Sequence, residues 1–178
     1  KEVYLAGHST GCQKSIYWAY KRKSAGVNGI ILLAPISDYA GMRMEVGDKA
    51  ISKALSVAQK LVAEKKKHQL LPTHIWPSML DAQRFISLYS KKGNEETFPY
   101  WDEARVPKAL RSVKVPVFVV LAEQDEYADR SAEVLHDWFI KHIYTGEVAI
   151  IPGVAHSFHT GEKQTAKLIA AFMKERYN

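Results

Sequence analysis

The chain has 178 residues, 47% of them hydrophobic and 25% charged, with a formal net charge of +6. These values are typical of a folded globular domain with a hydrophobic core, and they exclude a disordered or collagen-like chain. The apolar runs are much shorter than the roughly 20 residues of a membrane-spanning helix, so no membrane span is predicted.

The first predicted element is a short strand over residues 2–7, which leads directly into the segment GHSTG at residues 7–11. This segment has the pattern G-x-S-x-G, in which the serine occupies a sharp turn between a buried strand and a helix. Glycine suits the pattern because side chains two residues before and after the serine are expected to collide with the strand or the helix. Apolar residues at helical spacing then predict a helix, with Gly26 as its stop: Cys12, Ile16, Ala19 and Tyr20.

Cys12 is the single cysteine of the chain, so an intrachain disulfide is excluded. That cysteine usage favours a reducing compartment, and we predict a cytoplasmic location. Because Cys12 lies on the helix just after the serine turn, we interpret it as a small buried residue and not as a catalytic one.

Three further strands are predicted over residues 27–34, 115–122 and 147–151. Each is short, apolar and mostly non-alternating, which indicates a sheet covered on both faces. Helical patterns separate the strands, so we expect an α/β fold with parallel strands and right-handed crossovers. Two of these helices have apolar faces, one formed by Leu135, Trp138, Phe139 and His142 and the last by Ala166, Ile169, Ala170 and Met173.

The stretch between the second and third strands is too long for a simple crossover, and we predict a helical insertion over residues 41–105. Residues 1–40 and 106–178 then form the core. One insertion helix is predicted from about Asp48 and another from near Ser78, with Asp81 three residues on as in a capping box. Bulky side chains of this stretch form either the insertion's own core or a ligand pocket: His74, Ile75, Trp76, Phe85, Phe98, Tyr100 and Trp101.

Basic residues are spread along the chain, and the densest run is KKKH at residues 65–68. This run ends a predicted helix, where the helix dipole favours cations, so we interpret it as a solvated helix end. Aromatic residues do not interleave with the basic ones as a nucleic-acid stacking surface requires, and no nucleic-acid partner is predicted. The sequence has no glycine-rich phosphate loop and no metal-binding histidine pair, so neither cofactor nor metal is expected.

From residue 2 to its end, the sequence resembles the α/β-hydrolase superfamily, with GHSTG as its serine turn. Residues 7–13, GHSTGCQ, and residues 34–38, APISD, also look like a group that includes fungal siderophore esterases. The resemblance implies a partial α/β-hydrolase fold, a mostly parallel sheet flanked by helices, with the insertion as a helical lid. In that superfamily the serine turn lies in mid-chain, whereas here it begins at residue 7. We therefore expect this chain to be the C-terminal half, with a missing N-terminal half or a partner chain completing the sheet.

The resemblance also implies that Ser9 is a nucleophile, followed along the chain by an acid and then a histidine. A serine hydroxyl is a poor nucleophile until a base accepts its proton, so both partners are required. Asp125 follows the third strand and His156 the fourth, at the sheet edge where open α/β sheets place their sites. We predict that these three residues form a catalytic triad.

Several neighbours compete for these roles. Asp38 is the rival acid because some lipases of the superfamily take their acid from the loop after the preceding strand. Glu123 and Glu126 flank Asp125, and His159 follows His156. His8, inside the motif, is expected to point away from the serine, and no role is assigned to it.

The expected activity is hydrolysis of a small-molecule carboxylic ester through an acyl-enzyme intermediate. The backbone N–H of Thr10 is expected to be one oxyanion donor, and the second is expected from a loop after an early strand that this chain does not contain. Losing one such donor typically costs about 2.7–4 kcal/mol, so the isolated chain is expected to be slow or inactive. An acyltransferase or thioesterase would use the same triad, and a non-catalytic binding module of this fold is the alternative outside the enzymes.

Overall fold

The structure is a computed structural model that describes residues 2–175. Residues 1 and 176–178, the two ends of the predicted core, lie outside the described residues. The chain divides into two compact units, one formed by Lys1–Ser37 with Thr97–Asn178 and the other by Asp38–Glu96. The insertion predicted from the sequence spans residues 41–105, and its interpretation as a lid stays a prediction.

The described residues of the first unit form a parallel sheet, as predicted. Its strands lie in the order in which they follow one another along the chain, so all their carboxyl ends meet at one edge. The strands begin within two residues of the predicted positions, and they are β1 (Tyr4–His8), β2 (Gly29–Leu33), β3 (Val117–Ala122) and β4 (Gly146–Ile151). The register pairs Tyr4 with Gly29, Ile30 with Val117, and Val117 with Gly146.

Helices follow the strands in the alternating pattern that keeps neighbouring strands parallel. Along the described chain they are α1 (Thr10–Arg22), α2 (Asp38–Ala63), α3 (Ala82–Tyr89), α4 (Lys108–Ser112), α5 (Ala132–His142) and α6 (Glu162–Lys174). None of them is both long enough and apolar enough to cross a membrane.

The core of the first unit lies around β2 and β3, in which nearly every residue is buried. Phe118 of β3 stacks on Phe172 of α6, with ring centroids 4.9 Å apart. The prediction for the face of α6 is wrong in part, because Ala166 and Ala170 are exposed and Thr165 is buried with Phe172. Burial of a threonine is inexpensive here, since its hydroxyl donates to the carbonyl of Gly161 at 2.9 Å.

The second unit is built from α2 and α3 around its own cluster of buried side chains, among them Ala54, Trp76 and Phe85. Helix α2 begins at Asp38, well before the predicted start, but Gly47 interrupts it with φ 79° and ψ 159°. The predicted helix from about Asp48 is the segment after this kink. Helix α3 begins at Ala82 and not near Ser78, because Asp81 itself is the N-cap and accepts from the Arg84 N–H at 2.6 Å.

Candidate active site

Ser9 occupies the turn between β1 and α1 in a strained backbone conformation. Its φ is 56° and its ψ is −131°, a region that residues other than glycine enter at a cost of about 1–3 kcal/mol. Two backbone hydrogen bonds hold this turn: the N–H of Ser9 donates to the Leu33 carbonyl at 3.0 Å, and the N–H of Cys12 donates to the Ser9 carbonyl at 2.9 Å. The sequence pattern predicts such a turn, and β1 and β2 fix it in place.

The two glycines of the motif have different surroundings. A Cβ on Gly7 would lie 2.5 Å from the carbonyl oxygen of Gly11, so the start of α1 approaches β1 too closely for any side chain at position 7. A Cβ on Gly11 would meet no atom of the described residues within 4 Å. The expected collision is therefore confirmed at Gly7 and wrong at Gly11.

Asp125 and His156 lie in contact at the carboxyl edge of the sheet. The Nδ1 atom of His156 lies 2.9 Å and 2.8 Å from the two carboxylate oxygens of Asp125. Both side chains are buried, with 8% of His156 and 7% of Asp125 exposed. A carboxylate can only accept, so Nδ1 carries the proton, and in the neutral ring Nε2 keeps its lone pair for a second partner. The N–H of Tyr127 donates to the same carboxylate at 3.0 Å.

His8 connects the serine turn to the loop that carries His156, residues 152–161, here called the histidine loop. Its Nε2 atom donates to the backbone carbonyl of His156 at 2.9 Å, and the two imidazole rings lie 5.0 Å apart at an angle of 47°. The residue before Ser9 is thus in direct contact with the predicted base. From the sequence, His8 is expected to point away from Ser9 and has no assigned role, so its bond to His156 is a contact that the motif does not predict.

The two glutamates that flank Asp125 bind backbone groups of the histidine loop. Glu123 accepts from the Gly153 N–H at 2.7 Å, and Glu126 accepts from the N–H of His156 itself at 2.9 Å. This bond from His156 is the main reason why the pKa of Glu126 lies below its ordinary value. From the sequence, both glutamates are only rivals to Asp125 for the role of the acid. The available signal for their contacts is the acidic run EQDE after a buried strand.

Three predicted candidates remain: His159, Asp38 and Thr10. His159 is exposed and pairs with Glu162, with 3.3 Å between Nδ1 and Oε1. Asp38 begins helix α2 of the second unit, and Thr10 begins helix α1 directly after Ser9. Tyr127, which the sequence analysis did not select, is half exposed and meets the His156 ring edge-on at a centroid distance of 4.8 Å.

Candidate metal ligands are not clustered in this part of the molecule. Within residues 2–175, no group of three or more histidine, cysteine, aspartate or glutamate side chains is arranged to hold a metal ion. The groups at the sheet edge are a serine, a histidine and a carboxylate, which are suited to proton transfer and to nucleophilic attack.

Solved structures with the same architecture define the class of this fold. The chain resembles Est1E from Butyrivibrio proteoclasticus, at 16% identity and a TM-score of 0.59 over 99% of this chain and 62% of that one. A highly thermostable carboxyl esterase from Bacillus coagulans in complex with glycerol matches at 16% identity and a TM-score of 0.58, over 98% and 64%. The thioesterase domain from the curacin biosynthetic pathway matches at 17% identity and a TM-score of 0.53, over 95% and 66%.

These likenesses, together with the parallel sheet, show that the chain has the α/β-hydrolase fold. A family model described as protein of unknown function (DUF1749) matches residues 1–174, and the chain belongs to that family. It spans 62–66% of the length of the three structures named above. No curated protein matches the sequence significantly.

Proposed function

We propose that this protein is a serine hydrolase that cleaves carboxylic esters, with Ser9 as nucleophile, His156 as general base and Asp125 as the orienting acid. The observation that carries the proposal is the buried bond between Asp125 and Nδ1 of His156, made at the sheet edge that also ends in Ser9. A buried carboxylate that fixes the Nδ1–H tautomer leaves Nε2 as the proton acceptor, which is the arrangement that a serine nucleophile needs. The strained turn at Ser9 is the second support, because such strain persists where surrounding structure enforces it.

The proposed reaction has two halves. Ser9 Oγ attacks the ester carbonyl while its proton moves to Nε2 of His156, and the bond to the alcohol then breaks as His156 returns the proton to the leaving oxygen. Water attacks the acyl-Ser9 ester in the second half, again losing a proton to His156, and the carboxylic acid leaves as Ser9 is regenerated. Asp125 accepts from Nδ1 throughout and stabilises the imidazolium that forms in each half.

Thr10 is the proposed oxyanion donor. It is the residue after the nucleophile and the first residue of α1, so its backbone N–H lies at the N-terminal end of that helix. The helix dipole adds partial positive charge at this end, which favours the negative charge that develops on the carbonyl oxygen.

A fluorophosphonate probe tests the proposal directly, because it reacts with an activated serine and leaves a stable adduct that intact mass detects. We expect one adduct on the chain, none on Ser9→Ala, and one on the control Ser52→Ala, which changes an exposed serine on α2 of the second unit. An adduct that persists on folded Ser9→Ala would contradict the role of Ser9. Because the isolated chain is expected to react slowly, only a folded parent chain that fails to react even after long incubation at high probe concentration would favour the non-catalytic binding module.

Thioester hydrolysis is the second candidate, favoured by the likeness to the curacin thioesterase domain. Both reactions use the same nucleophile and base, so the site geometry does not separate them. Acetyl esters and acetyl thioesters with leaving groups of the same size distinguish the two activities. The ratio of kcat/KM for the ester to kcat/KM for the thioester measures the preference directly. Transfer of the acetyl group to an added alcohol instead of to water would identify an acyltransferase.

A further inference from the structure

The backbone of His156 is held on both sides of its Cα by side chains from elsewhere in the first unit, one at the end of β1 and one in the loop after β3. Its N–H donates to Glu126 at 2.9 Å, and its carbonyl accepts from His8 at 2.9 Å. Its ring is held separately by Asp125. Specific polar partners therefore fix both the main chain and the side chain of His156.

Apolar side chains on either side of His156 fix the histidine loop to the core of the first unit. Val154 and Phe158 are buried in the core cluster of the first unit, while Ala155 and Ser157 between them are exposed. The loop is thus pinned two residues before and two residues after the histidine. A turn bond from the Phe158 N–H to the Ala155 carbonyl, at 2.9 Å, spans the peptide groups in between. The N–H and carbonyl of His156 itself are bonded to Glu126 and His8.

We propose that Glu126 and His8 are positioning residues for His156, which together set the orientation of its imidazole relative to Ser9. This inference rests on the proposed function, because it assigns these residues a part in the same reaction. His8 directly precedes Ser9, so one side chain joins the nucleophile's turn to the base's backbone. Glu126 directly follows Asp125, so the loop that orients the ring also orients the peptide.

Charge adds a second contribution from Glu126. Its carboxylate is ionised near neutral pH, since the His156 N–H lowers the pKa of Glu126. A bond from an N–H to an ionised carboxylate is stronger than one to a neutral acceptor. The negative charge also favours the imidazolium that His156 becomes during the reaction, so geometry and charge act in the same direction.

Paired variants separate geometry from charge. Glu126→Ala removes both the acceptor and the charge, whereas Glu126→Gln keeps an acceptor oxygen without the charge. His8→Phe keeps a ring but removes the donor, whereas His8→Gln keeps an N–H donor at a similar reach. Asp137→Ala is the control, since Asp137 is an 86% exposed carboxylate on α5 that pairs with His136.

Two readouts are measured on the full chain: the second-order rate of fluorophosphonate labelling, and the exchange rate of the His156 backbone amide by NMR. We expect Glu126→Ala and His8→Phe to label about tenfold to a hundredfold more slowly, as a displacement of about 1 Å at a reacting group does. Glu126→Gln and His8→Gln should recover most of that loss, and Asp137→Ala should label at the parental rate. The His156 amide should exchange faster in Glu126→Ala and return towards the parental rate in Glu126→Gln.

The two proposals fail in different ways. Unchanged labelling in both Glu126→Ala and His8→Phe, on a parent chain that does label, would overturn the positioning role and leave the proposed function standing. An unchanged His156 amide exchange rate in Glu126→Ala would also overturn it, whether or not the parent labels. A parent chain that does not label even after the long incubation that a slow isolated chain requires contradicts the proposed function alone.

Discussion

Gly7 and Gly11 stand at equivalent positions on either side of Ser9, yet only one of them is constrained by its neighbours. At Gly7 the first turn of α1 comes so close to β1 that an added methyl group would overlap backbone atoms of Gly11 and Cys12. Backbone atoms cannot move away as a flexible side chain can, so the helix itself would have to shift. Gly11 lies on α1 with open space around its Cα.

We therefore expect Gly7→Ala and Gly11→Ala to change stability in opposite directions. Gly7→Ala should lower the free energy of unfolding by about 1–3 kcal/mol or more, through overpacking, and should slow labelling of Ser9 by displacing its turn. Gly11→Ala should be neutral or stabilising by up to about 1 kcal/mol, because alanine favours the helix. Urea unfolding of both variants measures the difference, and equal destabilisation of the two would contradict it.

Ser9 is predicted from the G-x-S-x-G motif, and Asp125 and His156 from the chain order that the resemblance implies. All three follow predicted strands, and parallel strands bring such loops to one edge. The structure brings Asp125 and His156 into hydrogen bonding. It also reveals partners that the sequence does not indicate. Glu126 and His8 bind backbone groups, and any residue type supplies a backbone N–H or carbonyl. No sequence pattern therefore marks the position that they contact.

Helix α5 ends in a half-buried histidine. The His142 ring lies 4.7 Å from the Trp138 ring, one turn earlier on the same helix. Within the described chain its Nδ1 atom is buried without a hydrogen-bond partner. Burial, with smaller contributions from Lys141 and Arg111, lowers the pKa of His142 below its ordinary value of 6.5.

This histidine makes the stability of the fold depend on pH. The unfolded chain binds a proton at His142 as the pH falls through about 6.5, whereas the folded chain resists protonation until a lower pH. The contribution of His142 to stability is therefore complete above about pH 6.5 and is lost as the pH falls towards the lower folded-state pKa. We expect His142→Phe to unfold with a smaller loss of stability between pH 7 and pH 5 than the parent. Urea unfolding of the two proteins at pH 7 and at pH 5 measures this loss, and an equal loss of unfolding free energy in both would contradict the prediction.

Strands were easier to predict than the faces of helices. The apolar runs of β2 and β3 have no polar residue that could face solvent, so burial on both sides is the one consistent interpretation. Helix α6 is ambiguous because it is rich in alanine, which is accommodated on either face. The orientation of α6 follows from the stacking of Phe172 on Phe118. Because Phe118 belongs to β3, the pattern of α6 alone does not predict this contact.

Each of the two compact units has its own buried cluster of apolar side chains. Residues 97–105, which the sequence analysis assigned to the insertion, lie in the first unit. Phe98 packs against Phe139 of α5 with ring centroids 5.3 Å apart, and the Tyr100 hydroxyl accepts from the Ser37 N–H at 2.8 Å. The residue type of an aromatic side chain near a predicted boundary does not indicate which of two cores it packs in. The sequence alone therefore does not determine where the insertion ends.

The first unit should fold without the second. Because Ser37 and Tyr100 are hydrogen bonded, a short glycine–serine linker should be able to replace residues 38–96. We expect the shortened chain to keep a cooperative thermal transition, since its core cluster lies wholly within the first unit. Circular dichroism during heating measures this, with the parent chain as control. A shortened chain without a cooperative transition would show that its core depends on residues 38–96.

The backbone angles of Ser9 have an evolutionary consequence for this chain. Glycine enters this region without steric cost, so a change from serine to glycine at this position would release about 1–3 kcal/mol of strain. Selection for stability alone thus favours glycine, and only a need for the hydroxyl group opposes it. In a descendant of this chain that did not need the hydroxyl group of Ser9, glycine at this position would be a stabilising substitution.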